Sequence, residues 1–131
     1  MGWPKEIKHF NDWLGTLNFK HKIVIAGNHD ITFDSYKKAE LSKRFYNDEL
    51  KYDPEECKSM LTNCTYLEDS AVEVMGYKIY GSPWSPWFYD WAFNAQRGEE
   101  CIELWKKIPT DTDVLLTHGP AHKILDTCSN G

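Results

Sequence analysis

Ile23-Val24-Ile25-Ala26-Gly27-Asn28-His29-Asp30 decides how this chain is read. Three β-branched residues and an alanine make an unbroken apolar run, the pattern of a short strand buried on both faces. A glycine closes the run, and an amide, an imidazole and a carboxylate follow directly. In α/β domains the loops leaving strand C-termini project into one crevice, and binding groups gather there. An Asn carbonyl oxygen and a neutral imidazole nitrogen are both competent metal ligands. A histidine followed by an aspartate can serve as an oriented acid, since the carboxylate fixes the ring and favours its cation. The same tetrapeptide is also ordinary turn chemistry, in which Asp30 or Thr32 simply caps a following helix.

Working outward, Pro4 to Leu17 reads as a helix. Ile7, Phe10, Leu14 and Leu17 fall at helical spacing, Lys8, Asn11 and Asp12 lie on the other side, and Pro4 suits the first turn. Beyond the polar loop, Thr32 to Asn47 is predicted helical, with Tyr36, Ala39, Leu41 and Phe45 along one side. Asp48 to Ser59 is polar, contains Pro54, and reads as an excursion that ends in a short helical piece over Met60 to Asn63. Cys64 to Leu67, Ala71 to Met75 and Tyr77 to Tyr80 carry strand signals, the last two joined at Met75-Gly76 as a hairpin. Arg97 to Ile108 reads as a helix with Cys101, Leu104, Trp105 and Ile108 on one side. Val114 to Thr117 is a second short apolar strand, expected to be buried, and it runs into His118-Gly119-Pro120. Strands and helices alternate around a hairpin, so the class is α/β with a mixed sheet, in one domain.

Composition narrows the function. The chain has 131 residues, 41% of them apolar, with six tryptophans and a net charge of −5. That is enough apolar material for a core, and it argues against a general nucleic-acid binder with a basic face. It is compatible with a small phosphorylated substrate. No apolar run approaches the ~18 residues of a membrane span. The N-terminal residues lack a signal-peptide core, and Glu6 stands where a myristoylation signal wants Ser or Thr. Cys57, Cys64, Cys101 and Cys128 form no CxxC pair, which predicts reduced thiols and a cytoplasmic protein. His9, His21 and Arg97 are expected at the surface.

Ile79-Tyr-Gly-Ser-Pro-Trp-Ser-Pro-Trp-Phe88 is the second unusual stretch, extended by Tyr89, Trp91 and Phe93. Its prolines forbid a regular helix at the start. Most of its rings are expected to pack over the sheet, with one or two at a pocket mouth; Trp84 and Trp87 are the candidates for substrate contact. His122 is a candidate for the same role.

Gly27-Asn28-His29-Asp30 together with Thr117-His118-Gly119 resembles the middle of a calcineurin-like metallophosphoesterase. The aromatic stretch, Thr117-His118-Gly119-Pro120 and Leu125-Asp126 are similar to the subfamily called metallophosphoesterase domain-containing proteins, which in animals is linked to cyclic-nucleotide phosphodiesterase activity. The resemblance implies a two-sheet β-sandwich flanked by helices and a centre of two divalent ions (Mn, Mg, Fe or Zn). It implies that Asn28 and His118 ligate one of them. It makes His29 the non-ligand histidine that faces the scissile phosphate, and Asp30 its carboxylate partner. Two such ions, about 3.5–4 Å apart, clamp phosphate oxygens and lower the pKa of a bridging water, and an imidazolium stabilises the leaving oxygen.

The family pattern also has an Asp-x-His, a Gly-Asp whose carboxylate bridges the metals, and a closing Gly-His-x-His, none of which is present here. The resemblance therefore implies one partial domain over 1–131, lacking the first βαβ portion and the C-terminal strands. Two neutral ligands cannot neutralise two dications, so weak metal binding and little turnover are expected of this chain alone. An uncovered sheet face and edge predict poor solubility. Two further readings remain: a non-catalytic module that binds a partner or nucleotide, and an α/β domain in which both motifs merely build turns. The last requires Asn28 and His118 to lie far apart.

Overall fold

The computed structural model describes residues 2–46 and 52–126. Cys128, the end of the tail and Asp48 to Lys51 of the expected excursion lie outside the described residues. In chain order the elements are α1 (Pro4–Thr16), β1 (Ile23–Val24), a 3-10 turn (Ile31–Phe33), α2 (Lys38–Tyr46), α3 (Pro54–Ser59), β2 (Thr65–Tyr66), β3 (Ser70–Val74), β4 (Tyr77–Ser82), β5 (Ser85–Pro86), β6 (Asn94–Ala95), α4 (Glu99–Trp105) and β7 (Val114–Thr117). The class is α/β with mixed sheets, as read from the sequence.

Three small sheets organise the chain. β1 pairs in parallel with β2. β3 and β4 form the expected antiparallel hairpin, with Val74 opposite Tyr77. Both turn residues take positive φ, Met75 at 54° and Gly76 at 83°, as a tight two-residue hairpin turn requires. β4 also pairs in parallel with β7, Ile79 opposite Val114 through Ser82 opposite Thr117. β5 and β6 form a parallel pair. The β1–β2 and β4–β7 sheets meet at Gly81, where a Cβ would lie 2.5 Å from Leu67 Cβ and 2.7 Å from Ile25 Cγ2. Only glycine permits that approach.

One apolar core joins these parts. Ile7 of α1, Leu41 of α2 and Cys57 of α3 pack with Ile31, Phe33, Trp84 and Phe93. Phe93 is wholly buried, and burial of such a ring contributes about 1.5–3 kcal/mol.

Several expectations change. The α1 face buries Asn11 and leaves Phe10 more than a third exposed. The Asn11 amide donates to Thr62 Oγ1 and accepts the Asn63 N–H at 2.8 Å, so it ties the helix to the chain entering β2. The helix predicted over Thr32 to Asn47 is interrupted because Asp34 Oδ1 accepts the N–H groups of Tyr36 (2.9 Å) and Lys37 (3.0 Å). A side-chain turn thus competes with helical bonding. Tyr36 is 70% exposed, whereas Leu41 and Phe45 pack on the core as expected.

The excursion contains a helix, α3, which runs over Pro54–Ser59 rather than Met60 to Asn63. Asp53 accepts the Glu55 and Glu56 N–H groups and Pro54 occupies the first turn, a helix-start signature. Finally, β1 is half buried rather than buried on both faces. β7, expected to be buried, lies at its sheet's edge among the described residues and exposes Val114 and Leu115. No helix among the described residues is long and apolar enough to cross a membrane.

Candidate active site

Two strand ends converge. β1 runs out through Ile25 and Ala26 into Gly27, and β7 delivers His118. His118 Nε2 lies 3.0 Å from Asn28 Oδ1, across 90 residues of chain. The ring rests against Gly27: a Cβ there would stand 2.5 Å from His118 Cε1 and 2.7 Å from Nδ1. The glycine at this position is therefore a requirement of close approach, a role the sequence signals only as a residue between a strand and a polar triplet. This convergence removes the reading in which both motifs merely build separate turns.

Asp30 closes the loop on itself. Its Oδ2 accepts the Gly27 N–H at 2.7 Å, and the Asp30 N–H donates to the Gly27 carbonyl at 3.0 Å. Burial pushes the Asp30 carboxyl up, opposed by the Gly27 N–H and by the His118 and His29 imidazoles. Among the described residues no hydrogen bond joins Asp30 to His29. The carboxylate is spent on the loop backbone, and it is the Trp91 indole that lies against the His29 ring, with centroids 4.4 Å apart and planes at 51°. Residues Ile25–Asp30, Thr117 and His118 line a shallow cleft of about 350 Å³.

The remaining sequence-predicted residues are not brought to this cleft. Trp84 is 7% exposed and belongs to the core. Its Nε1–H donates to Asp69 Oδ2 at 2.9 Å and its ring meets Phe93 edge-on. Trp87 is 44% exposed and its backbone bonds Ala95. His122 is exposed with Nδ1 3.5 Å from Asp126 Oδ2. His9, His21 and Arg97 are exposed as expected, and Cys57, Cys64 and Cys101 are free thiols.

The donor set sets limits on a metal. Asn28 Oδ1 and His118 Nε2 stand at the separation expected of neighbouring ligands around an octahedral ion, since two bonds of about 2.1 Å at right angles place their donors about 3.0 Å apart. Among the described residues no group of three or more His, Cys, Asp or Glu gathers around one point. The residues fit one edge of a single divalent ion's coordination sphere. They do not fit a complete two-metal centre.

The sequence profile of the family described as Calcineurin-like phosphoesterase matches residues 2–130. The chain belongs to the calcineurin-like phosphoesterase family. Members of this family are phosphoric ester hydrolases and generally depend on divalent metal. The chain is 50% identical over 132 residues to the human and mouse proteins named Metallophosphoesterase domain-containing protein 1. It is 39% identical over 142 residues to UPF0046 protein T07D4.2 of Caenorhabditis elegans. These alignments take in 96% and 99% of this chain but only 40% and 36% of the relatives. The chain thus spans about two-fifths of the length of the mammalian relatives it matches.

Proposed function

We propose that this calcineurin-like phosphoesterase chain carries part of one metal position and the leaving-group side of a metal-dependent phosphodiester hydrolase. Cyclic nucleotides and other small nucleotides are the proposed substrates. The observation that supports the reading most is the approach of His118 Nε2 to Asn28 Oδ1 over Gly27. With the amide oxygen facing the ring, Nε2 carries the proton in the hydrogen-bonded state. Ligation needs that nitrogen unprotonated, so the neutral ring must hold its proton on Nδ1 when the pair binds a cation. A divalent ion held there would polarise phosphoryl oxygens and lower the pKa of water. His29, one residue from the amide ligand and exposed at the cleft, would give a proton to the leaving oxygen. Asp30 holds the Gly27 turn that sets both neighbours.

With two neutral donors, the chain alone binds a dication weakly and turns over little. Further carboxylate ligands, from the portion of the relatives that this chain does not span, complete the centre in the whole protein. Hydrolysis of bis-p-nitrophenyl phosphate and cyclic AMP with added Mn²⁺ tests this. The 131-residue chain should stay near the level of its His29→Ala/His118→Ala variant. A longer protein including the remaining family strands should exceed its own double variant by orders of magnitude. Equal activity of the longer protein and its double variant would refute the catalytic assignment. It would favour the alternative of a binding module without turnover.

A further inference from the structure

The aromatic loop after β5 is built against its own backbone preferences. Tyr89, Asp90 and Phe93 take positive φ, at 56°, 52° and 52°. That left-handed region is uncommon for Tyr and Phe, though Asp enters it more readily. Three separate anchors hold it. Asp34, wholly buried, accepts the Phe93 N–H at 2.8 Å. Asn94, also buried, accepts both the Phe88 and Trp91 N–H groups at 3.1 Å and donates to Ser85 Oγ at 3.1 Å. From α2 and the turn before it, Lys37 Nζ meets Asp90 Oδ1 at 2.5 Å and Arg44 Nη1 donates to the Asp90 carbonyl at 2.9 Å.

What this scaffold delivers is one ring. Trp91 is half buried, buttressed edge-on by Phe45 at 5.1 Å, and laid against His29 at 4.4 Å. Strain that persists only because buried polar side chains over-determine it is typical of segments that hold a functional group in place. The carboxylate next to His29 in sequence is bonded to Gly27 instead, and among the described residues the indole is the ring's aromatic neighbour.

We infer that Trp91 is the positioning residue for His29: the strained 88–94 loop exists to press its indole against the imidazole and fix which ring edge faces the cleft. The inference rests on the proposed role of His29 in leaving-group departure, but its test does not. An indole at this range offers the imidazole an apolar wall and, when the ring is charged, a π face. Both limit rotation about the His29 side-chain bonds.

Aromatic NMR of the full chain reads this directly. His29 ring protons, assigned through His29→Gln, should show cross-peaks to the Trp91 indole and ring-current displacement from the signals of exposed His9 and His21. The three-bond couplings about the His29 Cα–Cβ bond, which a lost ring current does not alter, should report a single rotamer in the unsubstituted chain and in Trp91→Phe, and rotamer averaging in Trp91→Leu. Absence of His29–Trp91 cross-peaks in the unsubstituted chain overturns the inference, whatever the variants do. So does a folded Trp91→Leu variant in which the His29 couplings still report the single rotamer of the unsubstituted chain. Line broadening of His118 by Mn²⁺ in the same sample reports on the metal reading separately. Loss of that response with the cross-peaks intact fails the metal reading alone; the converse fails only this inference.

Discussion

Replacing Gly27 by alanine separates function from stability at the point where the two strand ends touch. The new Cβ would lie 2.5 Å from His118 Cε1, 2.7 Å from Nδ1 and 3.0 Å from Nε2. Ordinary carbon contacts are about 3.5–4.0 Å, so the ring must retreat by about 1 Å. His118 is exposed, and its ring has solvent to move into. The overpacking cost of about 1–3 kcal/mol that applies inside a core is thereby largely avoided. Stability should fall by less than about 1 kcal/mol, or no more than about 5 °C in Tm. Ligation is less forgiving, because a nitrogen displaced by about 1 Å from a bond of about 2.1 Å is no longer a ligand. A misplacement of that size costs about 100-fold in a positioned site. Gly81→Ala is the counterpart. Its Cβ would meet Leu67 Cβ at 2.5 Å and Ile25 Cγ2 at 2.7 Å, with Leu67 buried. There nothing can swing aside, and a loss of at least about 1–3 kcal/mol is expected. Thermal unfolding and Mn²⁺ broadening of His118 resolve the two variants. Gly27→Ala should unfold near the unsubstituted chain and lose the metal response. An undiminished response in Gly27→Ala, or a stability loss equal to that of Gly81→Ala, would mean that the close approach over Gly27 does not hold His118 for a metal.

Asp34→Ala removes the acceptor of three backbone N–H groups and should cost about 2–4 kcal/mol by urea denaturation, since unsatisfied buried donors carry about 1–3 kcal/mol each. Lys58 sits between Glu68 at 3.0 Å and Glu55 at 3.0 Å, and Tyr66 donates to Glu68 Oε2, the same oxygen that Lys58 approaches at 3.0 Å. Lys58→Met should destabilise the chain by about 1–3 kcal/mol, since it leaves a partly buried carboxylate unpaired. Burial alone would lower the Lys58 pKa, but the hydrogen bonds it donates to Glu68 and Glu55 outweigh it and raise the value. The raised lysine contributes fully below its unfolded pKa of about 10.4 and loses that contribution as pH climbs through the higher folded value. Unfolding followed from pH 9 to 12 should therefore show the gap between native and Lys58→Met closing at the alkaline end. Leu115 is 46% exposed on β7, the edge strand among the described residues, and an uncovered apolar edge favours association; Leu115→Lys should reduce self-association in light scattering.

The sequence made the fold legible where local chemistry and tertiary packing agree. Pro4 starts α1, Met75-Gly76 turns the hairpin, and the apolar runs before Gly27 and His118 are strands. It misled where a side chain competes with the backbone. Asp34 breaks the expected second helix, and Asp53-Pro54 starts a helix inside a stretch that reads as loop. Burial was overestimated for β1 and β7 because an apolar run does not say how many neighbours a strand has. Asn28, His29, Asp30 and His118 stand out in the sequence by their motifs, and the structure brings them to one cleft. The partner of His29 does not stand out, because the indole that touches it stands 62 positions later in a loop whose shape depends on Asp34 and Asn94. Asp34 reads as a turn residue and Asn94 as one polar residue among aromatics. Their shared anchoring of that loop has no sequence signal.

Asn28 and His118 are proposed to form one edge of a divalent-cation position. Mn²⁺ titration followed by NMR is the decisive experiment, because paramagnetic broadening marks the bound position even when binding is weak. Signal should be lost selectively from Gly27 to His29 and from Thr117 to Gly119, and the loss should be abolished in an Asn28→Ala/His118→Ala variant that remains folded. Broadening centred elsewhere in the chain, or unchanged at these residues in the double variant, would contradict it.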